Sequence, residues 1–309
     1  ATSIRIKEAK AFPGVCPYCA VGCAQLIYVK DGKIIDIEGD PNTPHTEGAL
    51  CPKGSSTYQL SINESRLTKG MYRGPGSDKW EEKPLDWMME QIAQRIKKAR
   101  DETFVEKVKV GDKEVTVNRC EGIAWLGSSV LDNEENYLIA KLSRGMGLVN
   151  VENSARVCHS ATVPALGATF GRGAMTTNLI DVINADVIMP TSNWAECHPV
   201  SYKWVMKAKE RGAKIIHVDP RFTRTSATAD IWVPIRSGTN TVYFGGLIRY
   251  AIESKKYFHE YVVSYTNAPF LVDPNFKTPT YLTGLFTGYD KGKRSYDQTT
   301  WKFQLDEAG

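Results

Sequence analysis

Apolar and polar positions alternate along this 309-residue chain with two different periods. In the first 70 residues the period is two. Ser3-Ile4-Arg5-Ile6-Lys7 alternates strictly and predicts a strand. The apolar runs 26–29 and 33–37 flank Lys30-Asp31-Gly32, a hairpin signal because glycine accepts the positive φ that a tight turn needs. Pro41 and Pro44 then mark a loop leading to Cys51. Between 84 and 100 the spacing becomes helical, with Leu85, Met88, Met89, Ile92 and Ile96 on one face. Lys97, Lys98 and Arg100 suit the C-terminal end of that helix dipole. Residues 108–110 and 115–117 around Gly111-Asp112 predict a second hairpin, a surface excursion.

From Ile123 onward short apolar strands alternate with helices. The pattern predicts a buried strand over 123–126 and a helix over 132–146, acidic at its start and closed by Gly145 and Gly147. A buried strand over 186–189 precedes a helix over 199–211 with Gly212 as its cap. Strands over 214–218 and 230–235 and a helix over 239–253 follow. Such alternation predicts an α/β fold with a doubly wound, mostly parallel sheet covered on both faces. Ligands of these sheets sit beyond the carboxyl ends of the strands. The rule selects Thr191-Ser192-Asn193, Asp219-Pro220-Arg221 and Arg236-Ser237-Gly238-Thr239-Asn240, all polar. Loops are commonly polar, but three in succession, one pairing Asp with Arg, favour a nucleotide-like ligand. From about Pro269 the chain turns polar and Gly/Pro-rich and ends without a closing element, so further sequence is expected beyond it.

Composition narrows the class. The length fits about two domains, and 42% hydrophobic with 24% charged residues is ordinary for a globular protein. A net charge of +4 with no long Lys/Arg run gives no support for nucleic-acid binding. No apolar run reaches the ~18 residues of a membrane span. The stretch 242–252 comes nearest and is interrupted by Gly245, Gly246 and Arg249. The start, Ala1-Thr2-Ser3, lacks Met and any leader pattern, as after cleavage or trimming. A periplasmic location is the expectation and a cytoplasmic one the alternative.

Seven cysteines are present, and four of them fall within the first 51 residues. Cys16-Pro17-Tyr18-Cys19-Ala20-Val21-Gly22-Cys23 followed by Cys51 has the spacing C-x2-C-x3-C-x27-C. Three close thiolates and one returning from a distance suit a four-iron cubane, which takes four cysteine ligands. A structural zinc is the rival, although zinc knuckles usually pair one C-x2-C with another. Gly14 and Gly22 allow tight turns, and Val15, Val21 and Leu50 offer apolar shielding. Lys53, two residues past the last cysteine, is either a solvated lysine or a bridge to a second redox centre. Cys120 and Cys197 read as structural.

Cys158-His159 places a thiol, able to ligate a soft metal, beside an imidazole that exchanges protons near neutrality. Taken alone, the pair reads more plainly as a structural cysteine next to a surface histidine.

The ordered motifs C-P-Y-C-x-V-G-C (16–23), E-G-D-P (38–41), G-A-L-C-P-K-G (48–54) and R-x-P-G-S-D-K-W (73–80) are joined by A-R-V-C-H (155–159) and T-F-G-R-G-A-M-T (169–176). E-C-H-P-V (196–200), V-D-P-R-F-T-R-T (218–225) and I-R-S-G-T (235–239) complete the series. With these, the chain resembles molybdopterin-dependent oxidoreductases of the dimethyl-sulfoxide-reductase superfamily, and within it the catalytic (alpha) subunits of formate dehydrogenases. The resemblance implies a small, strand-rich [4Fe-4S] domain over 1–70. Part of a first α/β domain with a hairpin excursion would follow over 71–147, and a Rossmann-like domain for a pterin dinucleotide, incomplete at its C-terminus, over 148–309. It implies Cys16, Cys19, Cys23 and Cys51 as cluster ligands, with Lys53 between cluster and pterin. Cys158 would ligate molybdenum or tungsten, and His159 would handle the proton. Asn193, Asp219, Arg221, Gly238 and Asn240 would line a molybdopterin guanine dinucleotide, two of which are expected in a complete enzyme. The implied partners are formate or carbon dioxide, the remainder of the catalytic subunit and an iron–sulfur electron-transfer subunit. Many relatives carry selenocysteine at the metal-ligand position, so the letter at 158 stands for cysteine or selenocysteine. Two other readings remain open: a nitrate reductase of the same superfamily, and a non-catalytic electron-transfer subunit.

Overall fold

The structure, a computed structural model, describes residues 4–128 and 130–306. It divides into two compact units, Ala1–Pro234 and Ile235–Gly309.

The first unit opens with an antiparallel sheet of β1 (Lys10–Val15), β2 (Ala24–Lys30) and β3 (Lys33–Gly39), in the order β1-β2-β3. Asp31 (φ 50°) and Gly32 (φ 73°) are both left-handed, which matches the twist of a two-residue hairpin. Pro13 is tolerated in β1 because this strand pairs with β2 alone, leaving its other edge free of ladder bonds. The alternation at the very start does not become a strand. Residues 5–8 form turns, with Lys7 N–H donating to the Ile4 carbonyl and Ala9 N–H to that of Ile6 (both 3.1 Å). These local bonds occupy the backbone, while Arg5 pairs with Asp36. Ser3 lies outside the described residues.

Two short helices follow, α1 (Pro52–Ser55) and α2 (Thr57–Ile62). A hairpin of β4 (Gly70–Tyr72) and β5 (Glu81–Lys83) precedes α3 (Leu85–Thr103). The predicted helix is thus present, but Leu85, Met89, Ile92 and Ile96 of its apolar face remain exposed.

β6 (Phe104–Val110) and β7 (Lys113–Gly127) form the second predicted hairpin. The segment 123–126 is the far half of the long β7, not a separate buried strand; Leu126 is 83% exposed. Burial needs a layer packed on the face, and the exposure of Leu126 shows that its side of the sheet is uncovered there. α4 (Asn133–Met146) begins with a capping box between Asp132 and Glu135 and ends at Gly147, left-handed at φ 78°. It returns the chain to β8 (Leu148–Asn153), which pairs parallel with β7. Next come α5 (Ser154–Cys158), α6 (Thr162–Phe170) and a 3₁₀ turn, Leu179–Asn184.

The second parallel sheet is built from β9 (Val187–Ile188), β10 (Lys214–Val218) and β11 (Ile231–Val233), with β10 central. α7 (Trp194–Cys197) and α8 (Pro199–Glu210) cross from β9 to β10, and α9 (Arg224–Thr228) crosses from β10 to β11. Tyr202, Val205 and Ala208 of α8 pack on Ile188 and Ile215. Val205 and Ile215 are fully buried, contributing about 1.5–3 kcal/mol each. The fold is mixed α/β with small N-terminal sheets and short parallel βαβ units.

The second unit contains α10 (Asn240–Glu253), α11 (His259–Tyr265) and a hairpin of β12 (Tyr289–Asp290) with β13 (Ser295–Tyr296). Its polar tail is held by a ring cluster of Phe276, Phe286, Tyr296 and Trp301.

Candidate functional site

Cys16 follows β1 and Cys23 precedes β2, so the hairpin edge presents both ends of the C-x2-C-x3-C loop. Cys16 N–H donates to the Cys23 carbonyl (2.9 Å) and Gly22 N–H to that of Cys19 (3.1 Å). Gly22, at φ 59°, takes the left-handed turn that closes the loop. Cys51 arrives immediately before α1, whose first position is Pro52. The side chain of Gln25, on β2, is buried and donates to the Gly54 carbonyl (3.0 Å) and to Thr57 Oγ1 (2.9 Å). It thereby fixes α1 behind the loop. Cys16 and Cys23 are buried with Val21 and Val200, and Cys19, Cys51, Leu50 and Leu179 pack against them.

All four thiols are free. Burial raises Cys16 above its ordinary thiol value. Burial, followed by the neighbouring Cys16, Cys19 and Cys51, pushes Cys23 up to about 11. The four groups therefore lie within one another's electrostatic reach in an apolar pocket. Among the described residues no three His, Cys, Asp or Glu groups converge on the position of a single ion. A zinc would draw its sulfurs to about 2.3 Å from one point, whereas a cubane spreads four thiolates around a larger body. Four free cysteine thiols packed into one apolar cluster are the donor set that a cubane takes.

Beside this loop lies a cavity of about 300 Å³, lined by Val21, Met175, Leu179, Ser192, Trp194 and His198 among others. It joins the cysteine loop to the carboxyl end of β9. His198 is half-buried and held below the usual histidine value, first by burial and then by the charge of Lys53. Lys53 itself is exposed.

The strand-end loops of the first unit are ordered by side chains. Asn193 is buried, accepts from Thr225 Oγ1 (3.2 Å) and donates to Glu196. Asp219 accepts from the backbone N–H of Arg221 (2.7 Å). Arg221 is exposed, 3.9 Å from Glu196. Glu196 lies below the usual carboxylate range, chiefly through its bond from Asn193 and then through the Arg224 N–H. Gly238 is left-handed at φ 83° and precedes Asn240, the first residue of α10; both belong to the second unit.

Cys158 closes α5 and His159 caps it, with His159 N–H donating to the Ala155 carbonyl (2.8 Å). Both side chains are exposed. His159 also lines a mainly apolar cavity of about 570 Å³ with Trp125, Asn136, Val151 and Val163.

Three site-associated residues escaped the sequence reading. His198 lay inside E-C-H-P-V, and His217 stands directly before V-D-P-R, so proximity to motifs was an available signal for both. Gln25 carried none, being one polar residue in an apolar strand.

Residues 9–63 match the molybdopterin oxidoreductase Fe4S4 domain, and residues 104–255 match the molybdopterin oxidoreductase family. The chain belongs to the molybdopterin oxidoreductase family. It is 48% identical over 310 residues to the formate dehydrogenase subunit alpha of Megalodesulfovibrio gigas, covering 99% of this chain and 30% of that one. It is 45% identical over 318 residues to the major subunit of the nitrate-inducible formate dehydrogenase of Escherichia coli, covering 100% of this chain and 31% of that one. The chain thus spans about 30% of the length of these relatives. It shares its fold with acetylene hydratase from Pelobacter acetylenicus (TM-score 0.65, 23% identity, 82% of this chain and 33% of that one). Among the described residues no helix is long and apolar enough to cross a membrane.

Proposed function

We propose that this chain is the cluster-bearing part of a formate dehydrogenase catalytic subunit that oxidises formate to carbon dioxide or runs the reverse. The observation that carries the reading is Cys158-His159: thiol and imidazole are exposed on one turn at the end of α5, in a chain 48% identical to a formate dehydrogenase subunit alpha.

Removing two electrons and one proton from formate leaves carbon dioxide. A molybdenum or tungsten centre on pterin dithiolenes supplies the two-electron acceptor when bound. Residue 158 would provide its protein ligand, the sulfur of cysteine or the selenium of selenocysteine. His159 takes the proton or orients the carboxylate. Cys16, Cys19, Cys23 and Cys51 hold a [4Fe-4S] cluster, and Lys53 sets a positive charge between cluster and pterin. Asn193, Asp219, Arg221, Gly238 and Asn240 contact the guanine dinucleotide, whose domain, 148–309, is a doubly wound, mostly parallel sheet completed by further sequence. The cluster domain covers 1–70, and 71–147 belongs to a first α/β domain. Electrons leave to an iron–sulfur subunit. The name of a relative from Nitratidesulfovibrio vulgaris, formate dehydrogenase 2 subunit alpha (cytochrome c-553), supports a dedicated electron-transfer partner; the site of action in this reading is the periplasm.

The test is His159→Ala in the complete enzyme at full metal and iron occupancy. Formate turnover is expected to fall by two or more orders of magnitude, about the contribution of one positioned acid–base group; unchanged turnover overturns the role of His159. Iron without molybdenum or tungsten in the purified wild type would overturn the catalytic reading in favour of an electron-transfer subunit.

A further inference from the structure

His217 is fully buried next to the carboxyl end of β10, yet both of its ring nitrogens are engaged. Nε2 lies 3.2 Å from the carbonyl of Ser192. A carbonyl only accepts, so Nε2 carries the hydrogen and donates it. Nδ1 lies 2.8 Å from Ser226 Oγ, which in turn accepts from Thr223 N–H (2.8 Å) at the start of α9. Nε2 is also 3.9 Å from the carboxylate of Asp219.

The position of these partners matters more than their number. The β9–β10 ladder pairs Ile215 with Ile188, and Val218 N–H continues it to the Pro190 carbonyl (2.9 Å). Ser192 is two residues further on, where the β9 chain has left the sheet. Its carbonyl accepts from Trp194 N–H within its own loop (2.9 Å), and the bond that ties it back to β10 comes from the His217 side chain. On the other flank, the loop after β10 is tied to β11: Asp219 N–H donates to the Val233 carbonyl (3.2 Å) and Trp232 Nε1 to that of Asp219 (3.0 Å). The loop bearing Asn193 and the loop bearing Asp219 thus meet at one imidazole.

We infer that His217 is the positioning residue of the dinucleotide site, setting the spacing between the Asn193 loop and Asp219 through its Nε2–Ser192 bond. The inference rests on the proposed assignment of Asn193 and Asp219 to that ligand. A residue serving only to fill the core would need neither nitrogen, and substitution by any side chain of similar volume would serve as well. A positioning residue makes a sharper demand, namely a donor at the Nε2 position.

The experiment compares His217→Gln, His217→Asn and His217→Leu with Asp219→Ala in the complete holoenzyme. It measures guanine nucleotide released on acid extraction, iron content and the electron paramagnetic resonance spectrum of the reduced cluster. The glutamine amide reaches the Nε2 position and keeps the Ser192 bond; the asparagine amide reaches only the Nδ1 position. His217→Gln is expected to retain nucleotide. His217→Asn and His217→Leu are expected to lose roughly tenfold, the order expected for the loss of one net hydrogen bond, while iron and the cluster spectrum stay unchanged. If the leucine variant does not fold, the glutamine–asparagine contrast decides. Equal retention in those two, or equal loss in both together with iron, overturns the inference while a loss in Asp219→Ala leaves the dinucleotide reading standing. Full nucleotide content in Asp219→Ala overturns the assignment of Asp219, and the inference with it.

Discussion

The indole Nε1 of Trp204 donates to the carbonyl of His45 at 2.9 Å, joining α8 to the loop that leads into Cys51. Lys203 reaches the adjacent Thr46 carbonyl at 2.6 Å, and Lys203 and Lys207 both pair with Glu47. Each lysine also lies over the Trp204 ring, at 4.9 and 4.3 Å from its centroid. His45 passes the restraint on, its Nε2 lying 3.2 Å from the Gly22 carbonyl inside the cysteine loop. One helix of the second parallel layer therefore braces the cysteine loop of the first sheet.

Trp204→Phe removes that donor and keeps most of the ring. The variant is expected to lose about 1 kcal/mol of stability and to release iron faster under chelation than wild type. Denaturant unfolding and a timed chelation assay check it; wild-type iron retention would show that α8 does not brace the loop.

Gln25→Leu leaves the Gly54 carbonyl and Thr57 Oγ1 without their shared donor. Thr57 Oγ1 still donates to Gly54 at 2.7 Å, so the loss is partial. A cost of about 1–3 kcal/mol is expected, together with lower iron content, because α1 carries the chain away from Cys51. Denaturation midpoints and iron-to-protein ratios measure both.

Gly22→Ala places a β-carbon on a residue at φ 59°, where the nearest atom outside its chain neighbours is Val15 Cγ1 at 4.0 Å. Space is available, so the penalty is backbone strain of roughly 1–2 kcal/mol. Gly22→Asn is expected to be milder, since asparagine visits this region more readily. The predicted order of thermal stability is Gly, then Asn, then Ala; alanine as stable as glycine would refute the strain argument.

Burial, then Lys53, holds His198 below the ordinary histidine value. Above ~6.5 the imidazole is neutral in both folded and unfolded chains. As the pH falls below that value the unfolded chain takes up a proton and the folded chain resists, so stability declines until the folded value is also passed. The melting temperature of wild type is therefore expected to fall more between about pH 7.5 and about pH 5.5 than that of His198→Gln. Parallel pH dependence in the two proteins would exclude this linkage.

Local order followed directly from the chain wherever one residue's backbone preference decided the outcome. Asp31-Gly32 accepts two left-handed conformations, and the hairpin forms there. Asp132 with Glu135 starts α4 and Gly147 ends it, because caps satisfy backbone groups within a few residues. The cysteine spacing likewise singled out its four residues, since thiols have few reasons to crowd. Alternation alone proved weaker: residues 4–7 have the strand period but no strand partner, and 123–126 has the apolar run but an exposed Leu126.

The sequence by itself determined the Asp31-Gly32 turn, the caps of α4 and the crowding of four cysteines near the start of the chain. Tertiary structure alone decided which distant residues meet. Val200 joins Cys16 and Cys23 in one apolar pocket, Trp204 holds His45 from 159 positions away, and the His217 ring reaches the Ser192 carbonyl from 25 positions away. Capping and turn preferences are set by neighbours in the chain, whereas burial and long-range hydrogen bonds depend on which surfaces the packed sheets bring together, and no local pattern encodes that pairing.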